Sequence, residues 1–328
     1  MLREGLRMSL CKGNSVRAIH ELPLRKGKIT MEISAQLVKD LREQTGAGMM
    51  ECKKTLTEVK GDIQAAVEYL RKQGLNALAK KAARIAADGR VAIEISADGR
   101  VASLVEVNSE TDFVAKSEDF KNFVQRLAHL VASLNPSNIE ALSSAKYGEE
   151  GLVADRLSQL VAKIGEKMSL RRFVRLESKA GEKLGGYIHL GDKIGVLVHF
   201  QGDAPEAVTK DVAMHIAAMN PRYLQTNQIP AEVLEKEKAI FLEQMKDSGK
   251  PKEILEKIIK GKIAKFSSEV CLVDQVFIKD PTGKKSVAQV LKEINSSLKV
   301  VAFQRFQVGE GIERKADDFA AEVAKMAK

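Results

Sequence analysis

Histidine and cysteine are the side chains from which nucleophilic or metal chemistry is most often built, and this chain uses both sparingly. Its five histidines are His20, His129, His189, His199 and His215. None falls into an HExxH pattern or a supported Ser/His/Asp grouping. His129 and His215, near the ends of two helical stretches, read as locally satisfied. His189 flanks the turn "LGDK" and reads either as a structural residue or as a contact residue. Cys11, Cys52 and Cys271 are scattered and odd in number, which fits neither a disulfide framework nor a metal-ligand set. "GAGMME" follows a helix instead of a strand and lacks a third glycine, and "GDKIGV" lacks phosphate-loop spacing. No cofactor, no metal and no covalent catalysis are expected.

The stretch that stands out is "NSETDFVAK", residues 108–116. Ser109 or Thr111 suits the N-cap of a helix beginning "DFVAKSEDFKNFVQ", and Asp112 suits the positive end of its dipole. Phe113 then has two readings. It is either the first core residue of that helix, or an aromatic group held out beside an acid for a partner to receive, as interface anchors are. Met49 and Met50 divide in the same way, between packing of a small bundle and an adaptable apolar surface.

Composition narrows the choices. The apolar fraction of 44% and the charged fraction of 30% over 328 residues are those of a globular chain with room for two or three compact units. No apolar run approaches the roughly 18 residues of a membrane span, so no membrane role is expected. The net charge of +9 is unevenly placed: residues 1–30 carry seven Lys/Arg against Glu4 and Glu21, which is +5 and leaves +4 for the rest. Mixed signs over the remainder describe a solvated surface, not a phosphate-binding stripe, so no direct nucleic-acid contact is expected. Residues 1–30 read as a disordered basic extension ahead of Met31, with an organellar transit peptide as the alternative to a cytoplasmic protein.

The elements around these residues follow from periodicity. "SAQLVKDLREQTGAG", "MMECKKTLTEVKGD" and "DIQAAVEYLRKQG" predict three short helices, the last ending at Gly74, and "LNALAKKAARIAADGR" predicts a separate linking helix. "RVAIEISADGRVASLVEVN" alternates around a hairpin signal and leads to a helix ending "RLAHLVASLNP"; "GYIHLGDKIGVLVHF" leads likewise to "DVAMHIAAMNP". One strand–strand–helix unit is therefore used twice. From Val107 to Arg126 is 19 positions and from Phe200 to Asp211 is 11, so the first copy holds eight extra residues around "SETDFVAK". The second copy does without them, which points to function. Further on, residues 230–266 predict an antiparallel helical hairpin closed by Val233, Leu234, Phe241 and Met245 against Leu255, Ile258, Ile259 and Ile263. "SVAQVLKEI", "KVVAFQRFQVG" and "DDFAAEVAKMAK" predict a helix, a strand and a terminal helix.

From Ile33 almost to its end the sequence resembles the elongation factor Ts family, the guanine-nucleotide exchange factors of elongation factor Tu. "LREQTGAGMMECKKTL" and "EVNSETDFVAK" match its two signatures, with "VAMHIAA" and "GEGIE" agreeing further along. The resemblance implies an α+β fold: a ubiquitin-associated-like three-helix domain over 31–85, a core of two related subdomains over 86–221 and 271–307, a protruding hairpin over 222–270 and a C-terminal module over 308–328. It implies that Thr111, Asp112, Phe113 and Val114 enter the partner's G domain near its Mg2+ and phosphate site. It also implicates Arg42, Met49, Met50 and Lys53 of the first domain, His189 of the second subdomain, and Ile278 after the hairpin, where Lys279 departs from the family's apolar pair. On this footing Phe113 is expected to be exposed. A homodimer through the hairpin is a further expectation. The competing classes are a nucleic-acid binder using the basic extension and a ubiquitin-binding adaptor using the three-helix domain. Neither accounts for the eight-residue insertion.

Overall fold

The computed structural model describes residues 33–45, 47–149, 151–245 and 251–313. The basic extension and the terminal helix expected from the sequence lie outside these residues. Three helices come first: α1 (Ala35–Thr45), α2 (Met49–Glu58) and α3 (Ile63–Lys81). Their apolar faces meet around Val38, Leu41, Cys52, Leu56, Ala66 and Leu70. Asp62 opens α3 by accepting the Ala65 N–H at 3.0 Å. The expected stop at Gly74 does not occur: α3 continues through the glycine to Lys81, absorbing what the sequence presents as a separate linking helix.

The core is one layout used twice. In the first copy, β1 (Asp88–Ile95), β2 (Val101–Ser109) and β3 (Met168–Glu177) form an antiparallel sheet in that order. Between β2 and β3 lie α4 (Asp112–Lys116), α5 (Glu118–Leu134), α6 (Ile139–Ser143) and α7 (Val153–Ile164). In the second copy, β4 (Glu182–Ile188), β5 (Ile194–Gln201) and β6 (Lys299–Gln307) form the matching sheet. Between β5 and β6 lie α8 (Glu206–Met219), α9 (Ala231–Gln244), α10 (Lys252–Val270) and α11 (Val287–Ile294).

Strand periodicity assigns the layers. Val105 and Val107 of β2 face α5, where Phe120, Phe123, Val124 and Leu127 are buried. The opposite face of β2, with Ala102 and Leu104, packs on Leu184, Leu197 and Phe306 of the second sheet. Val196, Val198 and Phe200 of β5 face α8 in turn. The order is therefore helix, sheet, sheet, helix. Gly195 allows the sheets to close, because a Cβ there would lie 2.6 Å from a Leu104 methyl and 3.0 Å from a Val91 methyl.

One expectation about the repeat is corrected here. The repeat is longer than strand–strand–helix: an isolated bridge pairs Lys146 with Leu152 in one copy and Val276 with Ser286 in the other, each leading into a helix and a third strand. Glu106 is fully buried, because β2 is covered on both sides. Its carboxylate accepts from Arg171 Nη1 at 2.8 Å, Arg172 Nε at 2.6 Å and the Gly309 N–H at 2.9 Å. A buried carboxylate needs this many partners.

Candidate partner interface

The eight-residue insertion folds into a corner between β2 and α5. The Ser109 hydroxyl donates to the Thr111 carbonyl at 2.9 Å, tightening the chain as it leaves the strand. Glu166, just ahead of β3, accepts from the Thr111 N–H at 3.0 Å and from the Thr111 hydroxyl at 2.8 Å. Glu110 accepts the Lys167 N–H at 2.5 Å and pairs with Arg84 at 3.3 Å. The Thr111 hydroxyl also caps α4, accepting the Val114 N–H at 3.4 Å. The corner is thus held from β3 and from the end of α3.

Phe113 is 81% exposed on this braced turn, which excludes the core reading. The helix expected to run on from Asp112 is broken at Ser117, whose ψ of 145° is extended; α5 begins afresh at Glu118. The break lets α4 turn its own face, so that Val114 and Ala115 go inward while Phe113 goes outward. Val114, which the family resemblance groups with the presented residues, is 6% exposed and anchors the corner from beneath. Asp112 pairs with Lys116 at 2.6 Å. The hydrogen bond from Lys116, followed by the charges of Lys116 and Lys193, holds its carboxyl below the usual carboxylate range.

The β4–β5 turn lies against the same corner. Arg90 of β1 donates to the Ala115 carbonyl at 3.5 Å and pairs with Asp192 at 2.6 Å. Lys193 pairs with Asp88 and donates to the Gly89 carbonyl at 2.7 Å. His189 is exposed at the start of that turn, 3.1 Å from the Tyr187 hydroxyl. Arg90 therefore ties the α4 end of the corner to Asp192 of the turn that begins at His189.

The other expected contact residues lie elsewhere. Met49 and Met50 open α2 at 59% and 76% exposure, with Arg42 and Lys53 also exposed. Ile278 is 50% exposed, and its N–H donates to Nδ1 of the buried His215 at 3.2 Å; His215 Nε2 lies 3.0 Å from Gln275 Oε1. These bonds make His215 a neutral structural residue, and burial pushes its pKa down. Lys279 turns back to Asp211 at 2.5 Å. The bracing residues Glu110 and Glu166 are absent from the sequence reading, since their partners lie up to 57 positions away. Lys116 carried a local signal, standing four residues after Asp112 on a helical turn.

Among the described residues, no group of three His, Cys, Asp or Glu is placed to hold a metal ion, and no helix is long and apolar enough to cross a membrane. The family model described as Elongation factor TS matches residues 110–310, which begins at this corner and runs from α4 through β6. The chain is 48% identical over 302 residues to the elongation factor Ts of Clostridioides difficile (strain 630), covering 90% of this chain and 99% of that one. It is 49% identical to those of Halothermothrix orenii over 300 residues (90% of this chain, 98% of the relative) and Alkalilimnicola ehrlichii over 298 (91% and 99%). An exposed Phe on a braced Thr-Asp-Phe-Val corner, a doubled core and similarity over nine-tenths of the chain lead to one assignment: the chain belongs to the elongation factor Ts family.

Proposed function

We propose that the chain binds elongation factor Tu in its GDP state and accelerates GDP release, so that GTP can bind in the cytoplasmic translation cycle. The observation that carries this reading is Phe113, 81% exposed on a corner that the fold builds from an insertion and braces from two sides. A large apolar ring costs solvation free energy when exposed, and a partner that buries it recovers that free energy. The adjacent carboxylate of Asp112 would disturb a Mg2+ and phosphate site if brought beside it. An exchange factor makes and breaks no covalent bond. It binds the nucleotide-free partner more tightly than the GDP-bound one, and by linkage weakens GDP binding by the same factor.

The remaining contacts follow as parts of the same reading. Arg42, Met49, Met50 and Lys53 of the ubiquitin-associated-like unit meet the G domain. His189 and Ile278 meet a distal domain. The hairpin of α9 and α10 and the C-terminal module are accessory, and the hairpin offers a surface for a second copy. The test is GDP release from purified elongation factor Tu with and without the protein. Stimulated release that is lost on Phe113→Ala supports the reading; no stimulation by the unsubstituted chain removes it, and equal stimulation by both proteins removes Phe113 as its carrier.

A further inference from the structure

The continuation of α3 through Gly74 needs a physical reason, since glycine in a helix interior is less stable than alanine. The packing supplies one. Gly74 is buried against α7, where a Cβ would lie 3.2 Å from the Ser158 carbonyl oxygen and 3.3 Å from the Ser158 Cβ. Ser158 is itself buried and turns its hydroxyl back to the Ala154 carbonyl at 2.8 Å, leaving a smooth surface for α3. One turn earlier, Arg71 of α3 pairs with Asp155 of α7 at 2.8 Å. At the far end, the Lys167 ammonium donates to the carbonyls of Ala82 and Arg84 at 2.6 and 2.7 Å, closing the α3 terminus. Arg84 then reaches Glu110, the residue before Thr111. A single helix thus runs from the unit carrying Met49 and Met50 toward the corner carrying Phe113, fastened to the core at Arg71, at Gly74 and just past its C-terminal end.

We propose that α3 is a fixed spacer that holds the Met49–Met50 surface at one distance and orientation from Phe113, with Gly74 and Ser158 as positioning residues. The proposal rests on the exchange reading. Two contact surfaces on a rigid spacer meet one partner without first losing the freedom of a tether, so fixing them raises affinity without adding a contact. Gly74→Leu separates α3 from α7 while leaving the core of the three-helix unit and the corner intact.

The experiment uses the full chain with spin labels attached at Lys39→Cys and Asn122→Cys, in a background with Cys11→Ser. The expected result is a narrow distance distribution in the Gly74 protein and a broad one in Gly74→Leu. The concentration giving half-maximal GDP release should rise about tenfold, while the maximal rate stays within about twofold. Arg71→Glu, which opposes two carboxylates without enlarging the helix contact, should move the half-maximal concentration in the same direction by less. A broad distribution before substitution overturns the spacer, as does an unchanged half-maximal concentration in Gly74→Leu. A fall in maximal rate alone also overturns it, because that would make Gly74 part of the corner's local structure. No stimulated release by the unsubstituted chain overturns the exchange reading and the spacer's role together, whatever the labels show.

Discussion

The two copies of the core agree atom by atom in places and depart from each other in two. Arg175 Nε donates to the Ala132 carbonyl at 3.0 Å, and Arg305 Nε donates to the Ala217 carbonyl at 3.4 Å. The helix before each ends on an asparagine in the left-handed region, Asn135 with φ 49° and Asn220 with φ 47°. Each central strand slips register at the same place, between Glu106 and Val107 in one copy and His199 and Phe200 in the other. The departures are insertions. The first copy has eight extra residues between strand and helix. The second extends the path from helix end to bridge: Asn135 to Lys146 is 11 positions, whereas Asn220 to Val276 is 56.

The two insertions are stabilised differently. The short one has no core of its own and is held by Glu110, Thr111, Arg90 and Val114, so it presents one side chain at a defined place. The long one forms the α9–α10 hairpin, in which no α9 residue is buried and Ile240, Leu242 and Ile254 remain exposed. Its two helices were expected to bury their apolar faces mainly on each other. They cover them only partly, since a two-helix hairpin leaves the outer edge of each stripe uncovered. A braced point and a free arm are distinct solutions to adding a surface to a doubled scaffold.

The sharpest way to break this comparison lies within one copy. Phe123→Ala should lose roughly 3–5 kcal/mol in urea unfolding, because Phe123 is fully buried under the first sheet. Phe113→Ala, ten residues away, should change stability by less than about 1 kcal/mol and weaken the partner complex by about 2 kcal/mol, or roughly thirtyfold. If Phe113→Ala is the less stable of the two variants, the insertion belongs to the core after all.

Protonation separates the copies next. His215 occupies the place that Leu130 holds in the first copy, and burial lowers its pKa from 6.5. The unfolded chain therefore takes up a proton first as pH falls below about 6.5, and this contribution to stability is full above that pH and declines below it. One proton gives a slope of at most about 1.4 kcal/mol per pH unit. His215→Leu should flatten that part of the profile, whatever its effect on the plateau. An unaltered slope would show that other groups set the acid limit.

Two smaller effects test the equivalence itself. Asn135→Ala and Asn220→Ala should each cost about 1 kcal/mol, since both place a Cβ in the left-handed region. Very unequal costs would mean that the helix ends match only in outline. Replacing residues 232–265 by a short Gly/Ser linker should shift the unfolding free energy by less than about 1 kcal/mol and leave the transition cooperative, because loop closure changes slowly with length. An unfolded deletion variant would make the hairpin part of the scaffold.

Much of this layout is legible in the sequence. The two NP-ended helices, the hairpins and the eight extra residues locate the corner, because spacing and turn chemistry act locally. The third strand at Met168–Glu177 is not assigned from the sequence, since "MSLRRFVRLE" carries four charges among its ten residues. Those arginines are anchored by Glu106 and the Ala132 carbonyl, contacts that exist only after folding. Gly74 is misread for the same reason: its breaker signal is local, and the α7 surface that overrides it lies some 84 positions on, like the Arg71–Asp155 pair. Phe113 stays ambiguous on pattern alone, because a cap residue and a presented ring have the same sequence environment.

The partners of Glu106 also carry a timetable. The Gly309 N–H that completes its shell lies 203 positions downstream. At about 5–20 residues per second, the ribosome takes roughly 10–40 s to make that stretch. Arg171 and Arg172 of β3, and the covering strands β4 and β5, are made partway through that interval, so the Gly309 N–H is the last of these groups to reach the chain. The buried carboxylate of the first copy is therefore completed by the residues just after β6, and a nascent chain released before Gly309 leaves Glu106 without that donor.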